Sequence, residues 1–235
     1  MEYTAQITSI PRNFLPKNFK ITDWETLEPF LKELLERPIN SVKELEKWLQ
    51  DISELEAVIG EDAAWRQIKM TCDTENKELE EAFTYFVMEI QPRIQPYSDK
   101  LNHKLLNNEY TRQLDQQKYF VYLRNVKKNI ELFRDQNIPL QADIAVLAQQ
   151  YGVITGKMTV EIEGREYTLQ QAAKFLENPS RHLREEVYFK IQDRRLEDKD
   201  QLNDLFSKLL EKRDLIAHNA GFSNYRDYKF ADLGR

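Results

Sequence analysis

The chain has little of what chemistry usually announces itself with. Its 235 residues hold one cysteine, Cys72, so no disulfide can close within it and no cysteine-only metal cluster can form. That predicts a reducing compartment, and the expected location is cytoplasmic. Only six residues are glycine, and none falls in a phosphate-cradling loop or a Gly-x-Ser-x-Gly turn. The N-terminus is polar, with no apolar core after a basic start, so no signal peptide is expected. No apolar run approaches the length that crosses a bilayer. The formal net charge of -6 argues against a general nucleic-acid or anionic-membrane binder. Neither is expected as a partner.

What the chain does have is helical periodicity. An arm over residues 1–21, packed through Phe14, Leu15 and Phe19, is expected to precede the first helix. Thr22 with Glu25 fits a capping box there, with Asp23 as the alternative cap. Leu27, Phe30, Leu31, Leu34 and Leu35 form its apolar stripe. Ser41 with Glu44 opens a second helix, whose stripe is Val42, Leu45, Trp48, Leu49, Ile52, Leu55 and Ile59, and Gly60 is expected to end it. A third helix over 61–71 would turn Trp65 and Ile68 inward, and Asp73 and Thr74 interrupt or bend the pattern. Periodicity then runs over 76–106, with a kink expected at Pro92 and Pro96. Further helices are expected over 109–134 and 140–150, separated by a turn at Asn137-Ile138-Pro139, the later one ending at Tyr151-Gly152.

The only β signal lies at 158–168, where alternation on both sides of Glu163-Gly164 predicts a hairpin. Thr168 with Gln171 caps a short helix to 177. Helices follow over 181–197 and 199–220. Gly221 stops the last one, and Ser223 is expected to cap a turn carrying Tyr225, Tyr228 and Phe230. The predicted fold class is therefore all-α, a helical array of mostly long antiparallel helices with one small β-hairpin. The expected regions are the arm over 1–21, a helical region over 22–150, and a hairpin with helices over 151–235.

No catalytic set emerges from the residues. His103, His182 and His218 have no second ligand at metal-binding spacing, and His-Glu-x-x-His is absent. His218, beside the Gly-Phe corner, is the best placed of the three, yet a helix-surface role is expected for each. Cys72 lacks a basic neighbour to activate it and reads as a small buried thiol. Ser41, Ser180 and Ser223 precede helices and read as caps. The carboxylates Glu78, Glu80, Glu81, Glu185 and Glu186 read as solvated or paired across a helical turn. Trp24, Trp48 and Trp65 read as core.

Three stretches carry a family resemblance. One is Thr71-Cys72-Asp73-Thr74-Glu75-Asn76 before a long helix. Another is Val160-Glu161-Ile162-Glu163-Gly164-Arg165-Glu166-Tyr167-Thr168-Leu169, followed by Asn178-Pro179-Ser180-Arg181 and the helix with Leu183-Arg184. The third is Arg213 with Ala217 and Ala220-Gly221-Phe222-Ser223-Asn224-Tyr225. In order and spacing, from about residue 22 onward, the chain resembles the N-terminal part of the oligoendopeptidase F branch of thimet-oligopeptidase-like zinc metallopeptidases. The resemblance implies a clam-shaped, nearly all-α fold with a deep channel that admits short peptides. It also implies one zinc, held by His-Glu-x-x-His and a distal glutamate in the C-terminal part. This chain has none of those residues, so the resemblance carries no catalytic, metal-binding or substrate-binding residue onto it.

The expectation is a channel-forming N-terminal portion of a zinc oligoendopeptidase, inactive alone. Its partner would be the missing C-terminal catalytic part, and zinc and short peptides would belong to the whole protein. The alternative is a stand-alone, non-catalytic helical binding or scaffold protein derived from the same fold. An enzyme with a site of its own has no residue pattern behind it. A large exposed apolar surface near residues 209–230 would favour the first reading over the alternative.

Overall fold

Helix starts are fixed by short polar side chains that take up the otherwise orphaned N–H groups of a first turn. In the computed structural model, which describes residues 11–234, Asp23 caps α1 (Trp24–Glu36) in a reciprocal box with Thr26, so the cap is Asp23 and not Thr22. Ser41 accepts from the Glu44 N–H at the head of α2 (Val42–Cys72), and the Glu44 carboxylate reaches back to the Asn40 N–H. Asn76 caps α3 (Lys77–Tyr85) and Asp115 caps α5 (Gln116–Leu132). Between those two lies α4 (Gln91–Asn107). After α6 (Asn137–Gly156), Thr168 and Gln171 form the expected box at α7 (Leu169–Ala173), and Ser180 caps α8 (Arg181–Glu197). The last two helices are α9 (Lys199–Asn219) and α10 (Tyr225–Asp232). The predicted class holds: the fold is all-α, with a single two-stranded antiparallel hairpin among the described residues.

Several sequence-based boundaries are corrected. Gly60 does not end α2, which runs unbroken to Cys72 and absorbs the separate helix expected over 61–71. A glycine inside a helix costs about 1 kcal/mol. Burying each of Leu45, Trp48, Leu49, Ile52 and Leu55 on the same helix contributes about 1.5–3 kcal/mol, so packing wins. Gly152 likewise lies inside α6, and the expected turn at 137–139 is its first turn, where Pro139 lacks no needed donor. The helix expected over 109–134 is a 3₁₀ segment, Glu109–Gln113, then α5 after a new cap. At Pro92 the chain does not simply kink. A π-helical turn, Phe86–Ile90, sits just before it and widens the helix where the proline ring would press on the preceding turn. Asn224, not Ser223, caps α10.

The chain forms two units. One takes the residues up to Ile68 together with Glu89–Phe133, and the other Lys69–Met88 with Arg134–Leu233. In the first, the apolar stripe of α1 buries Leu27, Leu31 and Leu34 as the spacing predicts. Of the expected arm, residues 1–10 lie outside the described residues. The rest packs as anticipated: Leu15 is buried and the rings of Phe14 and Phe19 meet Phe30 edge-on at 5.7 and 4.9 Å. Glu54 of α2 fastens it by accepting the N–H groups of Asn13, Phe14 and Leu15 at 2.8–3.2 Å. Burial alone would raise that carboxyl, but the three N–H groups more than offset it and hold the group below its ordinary value.

The C-terminal end of α1 is closed from other helices. The Lys104 ammonium, from α4, donates to the carbonyls of Leu34, Leu35 and Arg37 at 2.9, 2.8 and 2.6 Å. Trp48 of α2, fully buried, donates its indole N–H to the same Leu34 carbonyl at 2.8 Å. The ammonium also sits over the Trp48 ring, 5.3 Å from its centroid. Burial, then the Arg37 guanidinium, lowers the Lys104 pKa below the ordinary lysine value.

In the second unit β1 (Thr159–Ile162) pairs with β2 (Arg165–Thr168) around Glu163 and Gly164. Both turn residues have positive φ, 52° and 75°, as a two-residue hairpin turn requires. Met158, Val160 and Ile162 face inward onto Leu169, Ala172, Val187 and Ile191, which covers an otherwise marginal hairpin. Met70, Phe83, Val87 and Ala142 form a second core cluster there.

Lys104→Met keeps most of the apolar stem but removes the ammonium from the carbonyls of Leu34, Leu35 and the Arg37 cap. We expect a loss of about 1–3 kcal/mol in urea unfolding followed by circular dichroism. An unchanged midpoint would show that water satisfies that helix end equally well.

Candidate functional site

The residues singled out from sequence do not converge. His103 and His218 each sit half-exposed on a helix surface, Nδ1 facing the Asp99 and Asp214 side chains at 3.3 and 3.2 Å, one turn back. His182 is exposed at the start of α8. Ser41 and Ser180 are caps, whereas the Ser223 Oγ only accepts from the Asn224 amide at 3.2 Å. Glu186 pairs with Lys190 at 2.8 Å, and Glu78, Glu80, Glu81 and Glu185 face solvent. Trp24 and Trp48 are core, as expected. Trp65 is not: it is 53% exposed, Ile68 is exposed too, and Cys72 is an exposed thiol and not the buried one anticipated. These three stand at i, i+3 and i+7 on α2, a stripe whose apolar spacing looked like core but which faces out.

Among the described residues, no three of His, Cys, Asp and Glu come together as metal ligands. The described residues therefore do not fit a zinc ion. No helix among them is long and apolar enough to cross a membrane.

Two features stand out. The first is a narrow crevice in the first unit, with Trp48, Ile52 and Glu56 of α2 on one side and Ser98, Leu101, Asn102 and Leu105 of α4 on the other, and Tyr122 of α5 at its edge. Burial raises the Glu56 carboxyl above its ordinary value. Burial, with the Glu56 charge nearby, pushes the Tyr122 phenol up to about 12. The Glu56 residue nevertheless keeps contact with water, so the cost of its charge is small. Sequence reading passed over Glu56. Its signal was there: it continues the spacing of Trp48 and Ile52, which puts a carboxylate on an apolar stripe.

The second feature is the corner the sequence marked. Gly221, at φ 88°, ends α9. The Phe222 N–H reaches the Ala217 carbonyl and the Gly221 N–H the His218 carbonyl, both at 2.9 Å, a Schellman closure. Tyr228 packs under the corner against Phe222 and Tyr225, at 5.7 and 5.8 Å, and the Arg213 guanidinium lies 5.7 Å from the Tyr225 ring centroid. Burial, then Asp232, pushes the Tyr228 phenol above its ordinary value. The α9 end is held from α6: buried Asn137 donates to the Ile216 carbonyl at 3.1 Å and accepts from the Asn219 amide at 2.8 Å.

Around that corner apolar side chains face outward. Phe206, 55% exposed, and Leu210 share one face of α9, and Leu215 is exposed on another. Phe230 and Leu233 are exposed at the chain's last helix. On α8, Phe189 and Leu196, seven residues apart and thus on one face, are 55% and 62% exposed. Large apolar side chains thus stand in solvent on each of α8, α9 and α10.

The chain belongs to the Peptidase M3 N-terminal domain family, whose model matches residues 14–133. It is similar in fold to a crystal structure assigned as an oligoendopeptidase F, with a TM-score of 0.85 at 21% identity over 92% of this chain. A second, assigned as an oligoendopeptidase F from Bacillus anthracis str. Ames, gives 0.85 at 20% identity over 96%. PZ peptidase A, solved with an inhibitor, gives 0.84 at 19% identity over 92%. The chain spans only 39%, 42% and 39% of those three chains. A comparison with curated proteins found no match.

Glu56 is raised on folding, so its stability contribution is fullest below the ordinary carboxyl value and falls as pH rises through its folded value. Glu56→Gln should therefore gain stability over the parent chain at pH 7 relative to pH 4, by less than about 1 kcal/mol. Denaturant titrations at the two pH values check this. A gain confined to pH 4 would contradict it.

Proposed function

We propose that this chain is the N-terminal portion of a zinc-dependent oligoendopeptidase that hydrolyses short peptides. In that reading it forms one wall of the channel through which peptides reach a metal held elsewhere. The observation that carries the reading is the family match together with the run of exposed apolar side chains on α8, α9 and α10. In this reading those side chains are covered by the rest of the larger protein.

The rest of the reading follows from physical chemistry. A channel wall has to be rigid, and capped, mutually packed helices provide that with little loop. The zinc, when present in the whole protein, would lower the pKa of its bound water and polarise the scissile carbonyl. The residues of this chain would act by restricting which peptides fit and by excluding folded proteins. A cytoplasmic setting is consistent with a single unpaired thiol. The rival, a stand-alone scaffold, would call for a closed polar surface around residues 209–230, and Leu210, Leu215 and Phe230 weigh against it.

The test is complementation. The 235-residue chain is mixed with the C-terminal catalytic part of the same protein and given a quenched fluorescent short peptide. We expect zinc-dependent cleavage by the mixture, abolished by a chelator, and none by this chain alone. Zinc-dependent cleavage by the chain alone, or no cleavage by a folded, zinc-loaded mixture, would overturn the reading.

A further inference from the structure

Beside the hairpin the second unit carries an open, shallow pocket of about 460 Å³, lined by Tyr167, Gln171, Lys174, Phe175, Glu177 and Asn178. That volume lies in the range of small-molecule sites. Its apolar wall is a pair of rings: Tyr167 and Phe175 meet edge to face with centroids 5.1 Å apart.

The polar groups around that wall are pre-set. The Gln171 side-chain oxygen accepts the Thr168 N–H at 3.0 Å, and the Asn178 side-chain oxygen accepts the Ser180 N–H at 2.9 Å. Both oxygens are engaged by backbone N–H groups, which leaves the two NH₂ groups as the amides' remaining donors. Lys174 adds an ammonium with no ion-pair or hydrogen-bond partner among the described residues, and Glu177 adds a carboxylate in the same condition. Two fixed amide donors and an uncompensated cation make a receptor for a carboxylate. The lone anion beside them suits an N–H donor, and the ring pair suits an aromatic group.

We infer that this cavity binds a terminal aromatic residue: a free carboxylate held by Lys174, Gln171 and Asn178, with its neighbouring N–H on Glu177 and its ring against Tyr167 and Phe175. That chemistry has two sources, a free aromatic amino acid or the C-terminus of a peptide. The inference stands on the cavity alone and does not depend on the peptidase reading, because binding needs no cleavage.

The test is calorimetric titration of the 235-residue chain with phenylalanine, N-acetylphenylalanine and phenylalaninamide. We expect at least one acid to bind, and the amide to bind about tenfold more weakly or not at all. Lys174→Gln should weaken the acids by about tenfold while leaving the amide unchanged. Lys174 is exposed and unpartnered, so the variant should melt with the parent chain, and that control separates lost binding from lost fold. Phenylalanine binding more tightly, with the preference removed by Glu177→Gln, identifies the free amino acid. Equal or tighter binding of the acetylated acid identifies a peptide end. No binding of either acid at about 10 mM, amide binding as tight as the acids, or full affinity in Lys174→Gln overturns the inference.

Discussion

The structure depends on closing the C-terminal ends of its helices with side chains from other helices. An α-helix leaves its last carbonyls without internal partners, and a fold built almost wholly of helices meets that problem at every joint. In the first unit the Lys104 ammonium takes two α1 carbonyls and that of the Arg37 cap, and the Leu34 carbonyl is shared with the Trp48 indole N–H. In the second, Asn137 takes the Ile216 carbonyl and Arg134 the Asn219 carbonyl of α9. Each arrangement fixes where a helix stops and which helix lies beside it. A neutral hydrogen bond nets about 1 kcal/mol and a charged one about 1.5–3, so these few contacts weigh as much as a buried core side chain.

That rigidity shapes the functional reading. Helices ended in this way hold their outward faces in place, and the outward faces of α8, α9 and α10 carry phenylalanine and leucine in solvent. The Gly221 corner is as fully specified as any joint in the chain, with its Schellman bonds, its aromatic packing and Arg213 stacked above. In the proposed reading, that well-specified joint beside exposed apolar side chains is where the rest of the protein would seat. Membership of the Peptidase M3 N-terminal domain family and a span of about two fifths of the matched structures agree with that picture.

Local devices were legible in the sequence. The Glu163-Gly164 turn, the Thr168–Gln171 box, the Ser41 and Ser180 caps and the Gly221 stop each rest on a few neighbouring residues, and each is where the spacing put it. What depended on distant residues was not legible. Gly60 and Gly152 look like stops until the burial on either side of them is weighed against their propensity cost. Trp65 and Ile68 have core spacing, but spacing cannot say whether a neighbour arrives to cover them. Glu54 fastening the arm, Lys104 closing α1 and Glu56 in its crevice join residues some 40 to 70 positions apart, and no local pattern encodes them. The expectation that no catalytic set emerges locally rests on the same kind of evidence: the three histidines carry no shared pattern in the sequence.

The most direct test of the central claim is to read the coding sequence immediately downstream of the Arg235 codon. The account predicts an open frame, or an adjacent gene, that continues into a helix bearing His-Glu-x-x-His. A stop codon in undamaged sequence, with no gene supplying the missing part, would contradict it and leave the exposed faces of α8 to α10 to be explained by a different partner.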